Sequence, residues 1–422
     1  FRRVLFRSVE GGAGNDSITI ATLTNGDNID GGTGVDTLTL ATIASATTPR
    51  NISNVESLIV SALGGSSTAI EVDLTNVSGV AALTAASNQA SSTLTLSNLP
   101  STLTTINMSD SGTGDTLAAS YSSGPSSLTL NSYALANTAT NFTSLNAPLT
   151  INGKMLTTLT GTAQAYATAN VTTLGTMTTD ATAITIATES LSAGIGLGTD
   201  EFTIGQITDN VLESFTVNGG AYSDLTISGN DVTTSSAEFD SVDINVGAGG
   251  SVTIGEFVAA SATAVTIDLS IGAQGSLIFG SGDSVFAGAD VTVIGNIGDQ
   301  ASLTPGDATN DAIIGDDIAS STFTVANGVG ASNSNVLLPD LEVDAVTGTI
   351  GAVKITSGIA SYVEQTVGAE TTPATMGAVT LAGNGYAKVT LGATASATVT
   401  ATGASTQGNV SAASMTSSLS NA

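Results

Sequence analysis

A nine-residue pattern occurs twice near the start of the chain. Residues 11–19 read Gly-Gly-Ala-Gly-Asn-Asp-Ser-Ile-Thr, and residues 31–39 read Gly-Gly-Thr-Gly-Val-Asp-Thr-Leu-Thr. Both match G-G-x-G-x-D-x-U-x, where U is a large aliphatic residue, at every defined position. A half copy at residues 25–29 places Asp27 nine residues before Asp36. The repeat predicts glycine-rich turns that alternate with very short strands and stack on one another.

The aspartates of such turns come close together when the turns stack. Neighbouring strands lie about 4.8 Å apart, and two carboxylates about 5 Å apart repel by about 3 kcal/mol at an effective dielectric constant near 20. A hard divalent cation with oxygen ligands turns this repulsion into attraction, and calcium accepts irregular cages that include main-chain carbonyl groups. The sequence therefore predicts calcium as the cofactor.

The expected calcium ligands are the aspartates of the repeats, Asp16, Asp27 and Asp36. Asp16 is expected to bind less well, because a two-residue insertion separates it from Asp27. Glycine suits turn positions that need positive φ or leave no room for a Cβ. Two eroded downstream turns add weaker candidates, for which a plain solvated turn is the preferred interpretation. The further candidates are Asn15, Asn25, Gly12, Gly14, Gly32 and Gly34 in the repeats, and Asp283 and Asp290 downstream.

Composition limits the classes of function. The 422-residue chain has 7 Lys and Arg against 35 Asp and Glu, a formal net charge of −28 at pH 7. So few cations cannot neutralise a run of phosphates, which argues against nucleic acid and against an anionic membrane surface as partners. The sequence has no apolar run of about eighteen residues, so no transmembrane helix is expected. Cysteine is absent, so disulfides and thiol chemistry do not contribute.

Catalytic chemistry is not expected. The chain has no histidine, which removes Ser-His-Asp triads and most zinc sites. Residues 110–113 read Asp-Ser-Gly-Thr, like the loop of aspartic proteases, but no second copy in the sequence supplies the other aspartate of the dyad. Residues 194–198 are glycine-rich but lack the helix and the acidic residue of a dinucleotide site. We therefore predict that the protein is not an enzyme. A secreted carboxylate-dependent hydrolase is kept as an alternative hypothesis, behind the two non-enzymatic functions given below.

Strand-forming residues and internal repeats extend over most of the chain. Thr, Ser, Val, Ile, Gly and Ala dominate, and apolar residues alternate with polar ones. Segments that begin at Asn51, Asn76 and Asn98 resemble one another at spacings of 22 to 25 residues. Residues 242–252 recur 25 residues later, and a worn third copy begins at Val291. Such a period is typical of one turn of a β-solenoid, and an array of β-sandwiches is the main alternative.

The predicted fold class is all-β, a parallel β-roll or β-solenoid with Gly/Asp-rich calcium-binding turns. A β-sandwich-like C-terminal part is the alternative for that region. Residues 1–8 contain three of the seven cations and no acidic residue, so they are interpreted as a foreign or truncated leader. The other predicted regions are a calcium β-roll at 9–45, β-solenoid repeats at 46–235, a second β-repeat region with degenerate acidic turns at 236–330, and an Ala/Thr-rich β region at 331–422.

Calcium-type nonapeptides followed by a Thr/Ala/Gly-rich chain of β-repeats resemble RTX-type bacterial surface-layer proteins. The strong part of the resemblance covers residues 11–40. It implies calcium at Asp16, Asp27 and Asp36, and type I secretion to the cell surface, which uses no cleaved N-terminal signal. It also implies self-assembly of the chain into a homo-oligomeric sheet or filament, with cell-surface polysaccharide as a second candidate partner. The alternative function is a secreted RTX adhesin or biofilm-matrix protein that forms no lattice.

Overall fold

The structure, a computed structural model, contains strands and no α-helix in the residues that it describes. The fold class is therefore all-β, as predicted. None of the described residues forms a helix long and apolar enough to cross a membrane. The described residues are 7–40, 47–60, 69–87, 93–110, 116–133, 136–143, 145, 147–154, 170–188, 190, 200–227, 232–280, 283–305, 312–327, 335–343, 348–368, 375–391, 398–402, 409–411 and 416–419.

Short strands follow one another along the chain, because apolar and polar residues alternate between turns rich in Gly, Asn, Asp and Ser. In the first half they are β1 Ser8–Glu10, β2 Ser17–Ile20, β3 Asn28–Asp30, β4 Thr37–Leu40, β5 Asn51–Ser53, β6 Ser57–Val60, β7 Ala69–Asp73, β8 Ala82–Ser87, β9 Thr93–Leu99, β10 Thr105–Asp110, β11 Thr116–Tyr121, β12 Leu128–Tyr133, β13 Ala136–Thr143, β14 Leu149–Lys154, β15 Asn170–Thr179, β16 Ala183–Thr188, β17 Asp200–Ile204 and β18 Ile207–Asp209.

The strands of the second half resemble those of the first, with two longer members. They are β19 Ser214–Gly219, β20 Asp224–Ile227, β21 Val232–Thr234, β22 Ser241–Val246, β23 Ser251–Ile254, β24 Phe257–Ala259, β25 Ala264–Ile271, β26 Ser276–Phe279, β27 Ser284–Ile297, β28 Ser302–Pro305, β29 Ala312–Val325, β30 Asn335–Leu337, β31 Asp340–Val343, β32 Thr349–Ser357, β33 Tyr362–Val367, β34 Thr375–Met376, β35 Val379–Gly383, β36 Tyr386–Leu391, β37 Thr398–Thr402, β38 Asn409–Ser411 and β39 Thr416–Leu419.

The chain divides into two compact units, one made of Phe1–Ile186 with Gly198–Thr208 and the other of Ala187–Leu197 with Asp209–Ala422. In the first unit, strands one turn of the coil apart pair in parallel. Ser17 lies opposite Thr37, and Thr37 lies opposite Ser57. These first turns take 20 residues, whereas 24 residues separate Asn107 from its partner on β12. Parallel strands stacked turn upon turn confirm the β-solenoid.

The first turns of the coil contribute strands to two sheets that enclose an aliphatic core. β1, β3 and β5 form a three-stranded sheet, whereas β2, β4 and β6 belong to a larger one. Ile29 and Ile52 of the small sheet are fully buried, as are Leu38 and Leu58 of the larger sheet. Because every second residue of a strand faces inward, the residues between them face outward.

In the second unit, the repeated segments recognised in the sequence stack on one another. Val242 lies opposite Ile267, as the 25-residue period requires. The third copy differs from the prediction, because Val293 lies opposite Ile267 while Val291 lies opposite Val265. The third copy therefore begins at Val293, two residues later than the sequence predicts. Val291 and Val293 both face inward, so the alternation of apolar residues could not distinguish them.

The C-terminal strands continue the parallel arrangement. β32 pairs with β35, β35 with β37, and β33 with β36, all in parallel. Sandwiches of the immunoglobulin type are built from antiparallel sheets. The β-sandwich-like alternative for the C-terminal part is therefore wrong for the residues described there.

Aromatic side chains form part of the core of the second unit. Phe215, Phe257 and Phe279 are at most 1% exposed. The ring centroid of Phe257 lies 5.5 Å from that of Phe215, in an edge contact, and 6.1 Å from that of Phe279. The three residues come from successive turns, since β19 pairs with β22 and β23 pairs with β26. Contact between rings therefore couples each turn to the next.

Asparagine side chains with a left-handed main-chain conformation connect one turn of the coil with the next. Asn54 and Asn98 have φ values of 52° and 56°, and their amides donate to Asp30 Oδ1 at 2.8 Å and Asp73 Oδ1 at 2.9 Å. Asparagine tolerates this left-handed conformation better than most residues. Chiefly because the Thr75 hydroxyl donates to it, the Asp73 carboxyl has a lowered pKa. Its hydrogen bonds therefore add stability at neutral pH that is lost as the pH falls through that pKa.

Two carboxylates lie side by side on an outward face of the second unit, where Asp243 is opposite Asp268. Partial burial, with the charges of Asp268 and Asp240, raises the pKa of the Asp243 carboxyl. A raised pKa means that the folded state holds this proton more tightly than the unfolded state. The ionised carboxylate therefore destabilises the fold at neutral pH, and this penalty disappears as the pH falls through the raised pKa.

We expect Asp243→Asn to raise the free energy of unfolding at neutral pH by a few tenths of a kcal/mol, because it removes repulsion between opposed, partly screened charges. Urea denaturation at neutral and acidic pH measures the gain, which should shrink in acid. Asp268→Asn should give a similar gain, and the double variant should add little to either single one. Gains that add fully in the double variant would contradict a shared repulsion.

Candidate metal centre

The two nonapeptides stack directly on each other. β2 and β4, which end them, pair in register, and Thr33 N donates to Gly12 O at 2.8 Å while Gly14 N donates to Thr33 O at 2.8 Å. A Cβ on Gly32 would overlap the carbonyl oxygen of Gly12. The glycines of the pattern therefore allow two turns to approach with their main chains in contact, and they place the aspartates of the two turns one above the other.

Asp16 and Asp36 form the centre of this stack. Asp16 N donates to Asp36 Oδ1 at 2.8 Å, and Asp36 is fully buried. The second oxygen of each carboxylate, Oδ2, is buried and has no hydrogen-bond partner. Leaving a charged oxygen buried and unpaired is costly. Two such oxygens on adjacent turns are donors of the type that a hard cation takes.

Main-chain oxygen lies beside these carboxylates. A Cβ on Gly11 would overlap the carbonyl oxygen of Gly31 and lie 3.0 Å from Asp16 Oδ2. A carbonyl oxygen and a carboxylate oxygen therefore line the space that the missing side chain leaves. In the described part of the chain, no three His, Cys, Asp or Glu side chains converge on one point as a metal cluster. The donors combine carboxylate and carbonyl oxygens, and this hard-oxygen set fits calcium.

Asp27 lies apart from this centre. It leads into β3 of the three-stranded sheet, and its carboxylate accepts hydrogen bonds from Arg7 Nε at 3.2 Å, Arg7 Nη2 at 3.0 Å and Thr24 N at 2.8 Å. Asp27 is only 1% exposed, so a guanidinium group compensates its buried charge. The sequence predicts Asp27 as a calcium ligand in register with Asp36, nine residues later, and Asp16 as the weaker ligand. The geometry instead pairs Asp16 with Asp36, because residues nine apart fall on different sheets and residues 20 apart stack.

The two asparagines of the pattern serve as turn caps. Asn15 Oδ1 accepts a hydrogen bond from Val35 N at 3.0 Å, and Asn25 Oδ1 accepts one from Thr48 N at 3.0 Å. Both asparagines are exposed. Their side-chain oxygens thus satisfy the main chain of the following turn, and neither carries a buried unpartnered oxygen of the kind found at Asp16 and Asp36.

The downstream candidates are not brought to this centre. Asp283 Oδ1 accepts a hydrogen bond from Ala312 N at 3.1 Å, which joins successive turns of the second unit. Asp290 is exposed and lies opposite Ala264 on one side and Asp317 on the other. Asp283 therefore has the role of a turn cap, and Asp290 forms an outward acidic pair with Asp317.

One acidic residue that the sequence analysis did not select extends the stack. Glu56 Oε2 accepts a hydrogen bond from Asp36 N at 2.7 Å, just as Asp36 accepts one from Asp16 N. Glu56 follows Asp36 by 20 residues, and Asp36 follows Asp16 by 20. This equal spacing of three acidic residues was the available signal. It was missed because residues 51–60 lack the glycines of the pattern and were aligned with the later repeats.

Two rejected enzyme motifs fall largely outside the described residues. Asp110 is the last residue of β10, but residues 111–113, which complete the protease-like sequence, are not among those described. The same holds for the glycine-rich residues 194–198. Neither motif therefore provides a further candidate site among the described residues.

Comparison with known proteins gives no relative. No protein-family model, no curated protein and no solved structure matches this chain. The candidate site is therefore defined by its own residues and their geometry.

The stacking of the nonapeptides gives equivalent glycines unequal roles. Gly12 and Gly32 have φ values of 102° and 100°, but only a Cβ on Gly32 would meet the turn above. We expect Gly12→Ala to lower the free energy of unfolding by about 1–2 kcal/mol through backbone strain. Gly32→Ala should cost at least about 1 kcal/mol more because of overpacking. Urea denaturation at one fixed calcium concentration compares them, and equal costs would contradict the observed stacking.

Proposed function

We propose that the chain is a secreted structural protein whose calcium-stabilised β-solenoid self-assembles into a layer on a bacterial cell surface. The observation that carries the proposal is the stacked pair of Asp16 and Asp36, each with a buried carboxylate oxygen that lacks a partner. Bound calcium would supply the positive charge that this pair requires. Asp16 and Asp36 would hold the ion, with the carbonyl oxygen of Gly31 beside them.

Charge and repetition support a structural role. A net charge of −28 suits a calcium-bearing medium, where bound ions reduce self-repulsion. In the second unit, Asp243 lies opposite Asp268 and Asp290 opposite Asp317, so acidic residues form opposed pairs on outward faces. Neighbouring subunits would present these acidic pairs to each other, and calcium between them would favour a sheet over separate molecules.

Calcium affinity would also determine where the chain folds. Extracellular calcium modules bind with dissociation constants of about 10⁻⁴ to 10⁻³ M. Sites in this range fill outside the cell and stay empty in the cytoplasm. Until calcium is met, Asp16, Asp36 and Glu56 repel one another and oppose formation of the first turns. Folding would thus be delayed until export, which fits a protein that leaves the cell unfolded.

Electron microscopy of the purified chain, with calcium and with EGTA, tests this proposal. We expect ordered sheets or filaments in calcium, and their disappearance with a loss of β-structure in circular dichroism when EGTA is added. The double variant Asp16→Asn/Asp36→Asn should assemble poorly at the same calcium concentration. Separate rods in calcium would overturn lattice formation and favour the adhesin or biofilm-matrix function. Full order and unchanged β-content in EGTA would overturn the role of calcium itself.

A further inference from the structure

We propose that the chain binds a second calcium ion one turn further along the coil, between Asp36 and Glu56, outside the nonapeptide pair. This inference rests on the proposed function in one respect, because it assigns the same cation to the neighbouring step. It differs in its residues. Glu56 and the carbonyl oxygen of Asn54 belong to a turn that has none of the glycines of the pattern.

The two steps of the stack are built alike. At the first, a Cβ on Gly11 would overlap the carbonyl oxygen of Gly31 and lie 3.0 Å from Asp16 Oδ2. At the second, a Cβ on Gly31 would overlap the carbonyl oxygen of Asn54 and lie 2.8 Å from Asp36 Oδ2. Each step thus offers one main-chain carbonyl oxygen and one aspartate oxygen beside a glycine.

The buried oxygen of Asp36 points to a ligand at the second step. Asp36 is fully buried, and its Oδ2 atom has no hydrogen-bond partner. Its Oδ1 atom is used by the turn above, where it accepts the hydrogen bond from Asp16 N. The unpartnered Oδ2 atom lies close to Gly31 and the carbonyl oxygen of Asn54, so the need for a positive charge extends to this step.

Glu56 adds a second carboxylate there. Its Oε2 atom lies 2.7 Å from Asp36 N, so its charge is held against the Asp36 turn. The described ion pairs, Arg7 with Asp27 and Lys388 with Glu364, include neither Asp36 nor Glu56. Two neighbouring carboxylates and a carbonyl oxygen, with no described cationic side chain paired to them, form a hard-oxygen donor set of the kind that calcium takes.

The shape of the third turn explains why glutamate stands where aspartate would be expected. Gly31 N donates to Ser53 O at 3.0 Å, and Ser57 N donates to Asp36 O at 3.1 Å. The loop between the strands therefore runs from Asn54 to Glu56 in the third turn of the coil and from Gly31 to Asp36 in the second. The loop of the third turn is three residues shorter. Asn54 adopts a positive φ of 52°, which places a left-handed residue in this turn where the nonapeptides use glycine. The extra methylene of glutamate then lets the carboxylate reach the main chain of the turn above.

Counting bound ions by native mass spectrometry of the full chain in calcium chloride tests the second site. We expect Glu56→Gln to bind one ion fewer than the wild type. The matched control is Glu71→Gln, which removes the same charge from an exposed glutamate of β7 and should keep the wild-type number. Titration calorimetry should show that one calcium affinity in Glu56→Gln falls by about tenfold or more, while another stays as in the wild type.

The outcomes separate this inference from the proposed function. A wild type that binds no calcium overturns both. A wild type that binds calcium, with Glu56→Gln retaining the same number of ions at the same affinities, overturns only the second site. If Glu56→Gln loses its wild-type circular dichroism, Glu56→Asp decides, because it keeps the charge and withdraws the carboxylate by one methylene. Loss of one ion in Glu56→Asp supports the site, and unchanged affinities overturn it.

Discussion

Replacing Asp36 with asparagine is expected to remove most of the stability that calcium gives to the first turns. At a calcium concentration a hundredfold above the dissociation constant, each occupied site adds about 2.7 kcal/mol to the free energy of unfolding. The wild type should gain this amount for each site that calcium fills when EGTA is replaced by calcium. Asp36→Asn should gain little, because it loses the charged oxygen that lies unpartnered in the stack.

In EGTA the order of stability should reverse. The asparagine side-chain oxygen can still accept the hydrogen bond that Asp16 N donates to Asp36, while the repulsion between Asp36 and the carboxylates above and below it disappears. Without calcium, Asp36→Asn should therefore be at least as stable as the wild type. A carboxylate that served only as a hydrogen-bond acceptor would give the variant the same stability relative to the wild type in both conditions.

Chemical denaturation of both proteins in EGTA and in calcium measures this crossover. Asp316→Asn is the matched control, because it removes one negative charge from an exposed position of the second unit. It should show the full calcium gain of the wild type. An equal calcium gain in Asp36→Asn would mean that Asp36 does not bind the ion. A loss of equal size with and without calcium would mean that it has a structural role alone.

The fold was predictable because its signals are local and repeated. Alternation of apolar and polar residues identified the strands, and the 25-residue period of the segment at Val242 identified neighbours in the coil. A solenoid places each turn against the next, so residues one period apart in the sequence are neighbours in space. Registers were less predictable where two inward valines, Val291 and Val293, fit the same alternation.

The candidate site was only partly predictable, because the pattern gives ligand types but not the length of one turn of the coil. The nonapeptides identified Asp16 and Asp36, which do stack. The half copy suggested Asp27 on the basis of a nine-residue spacing, yet Asp27 lies in the small sheet beside Arg7. Glu56 was missed because its turn lacks the glycines of the pattern. A turn length of 20 residues, once known, places it directly on Asp36.

Truncating Phe257 to alanine is expected to lower the free energy of unfolding of the second unit by about 3–5 kcal/mol. The side chain is 1% exposed and contacts the rings of Phe215 and Phe279 on the turns before and after it. Its loss leaves a cavity that links three turns. The matched control is Ile359→Ala, since Ile359 is 63% exposed and its truncation should cost less than about 0.5 kcal/mol.

Urea denaturation and hydrogen exchange together test the Phe257 prediction and the solenoid behind it. Stability in a solenoid is close to a sum of contacts between neighbouring turns. Amides of β22, β23 and β24 should therefore lose protection in Phe257→Ala, while those of β2 and β4 in the other unit keep theirs. A cost no greater than that of Ile359→Ala would show that the aromatic contacts do not hold the turns together. Uniform loss of protection along the chain would show that stability is not a sum of contacts between neighbouring turns.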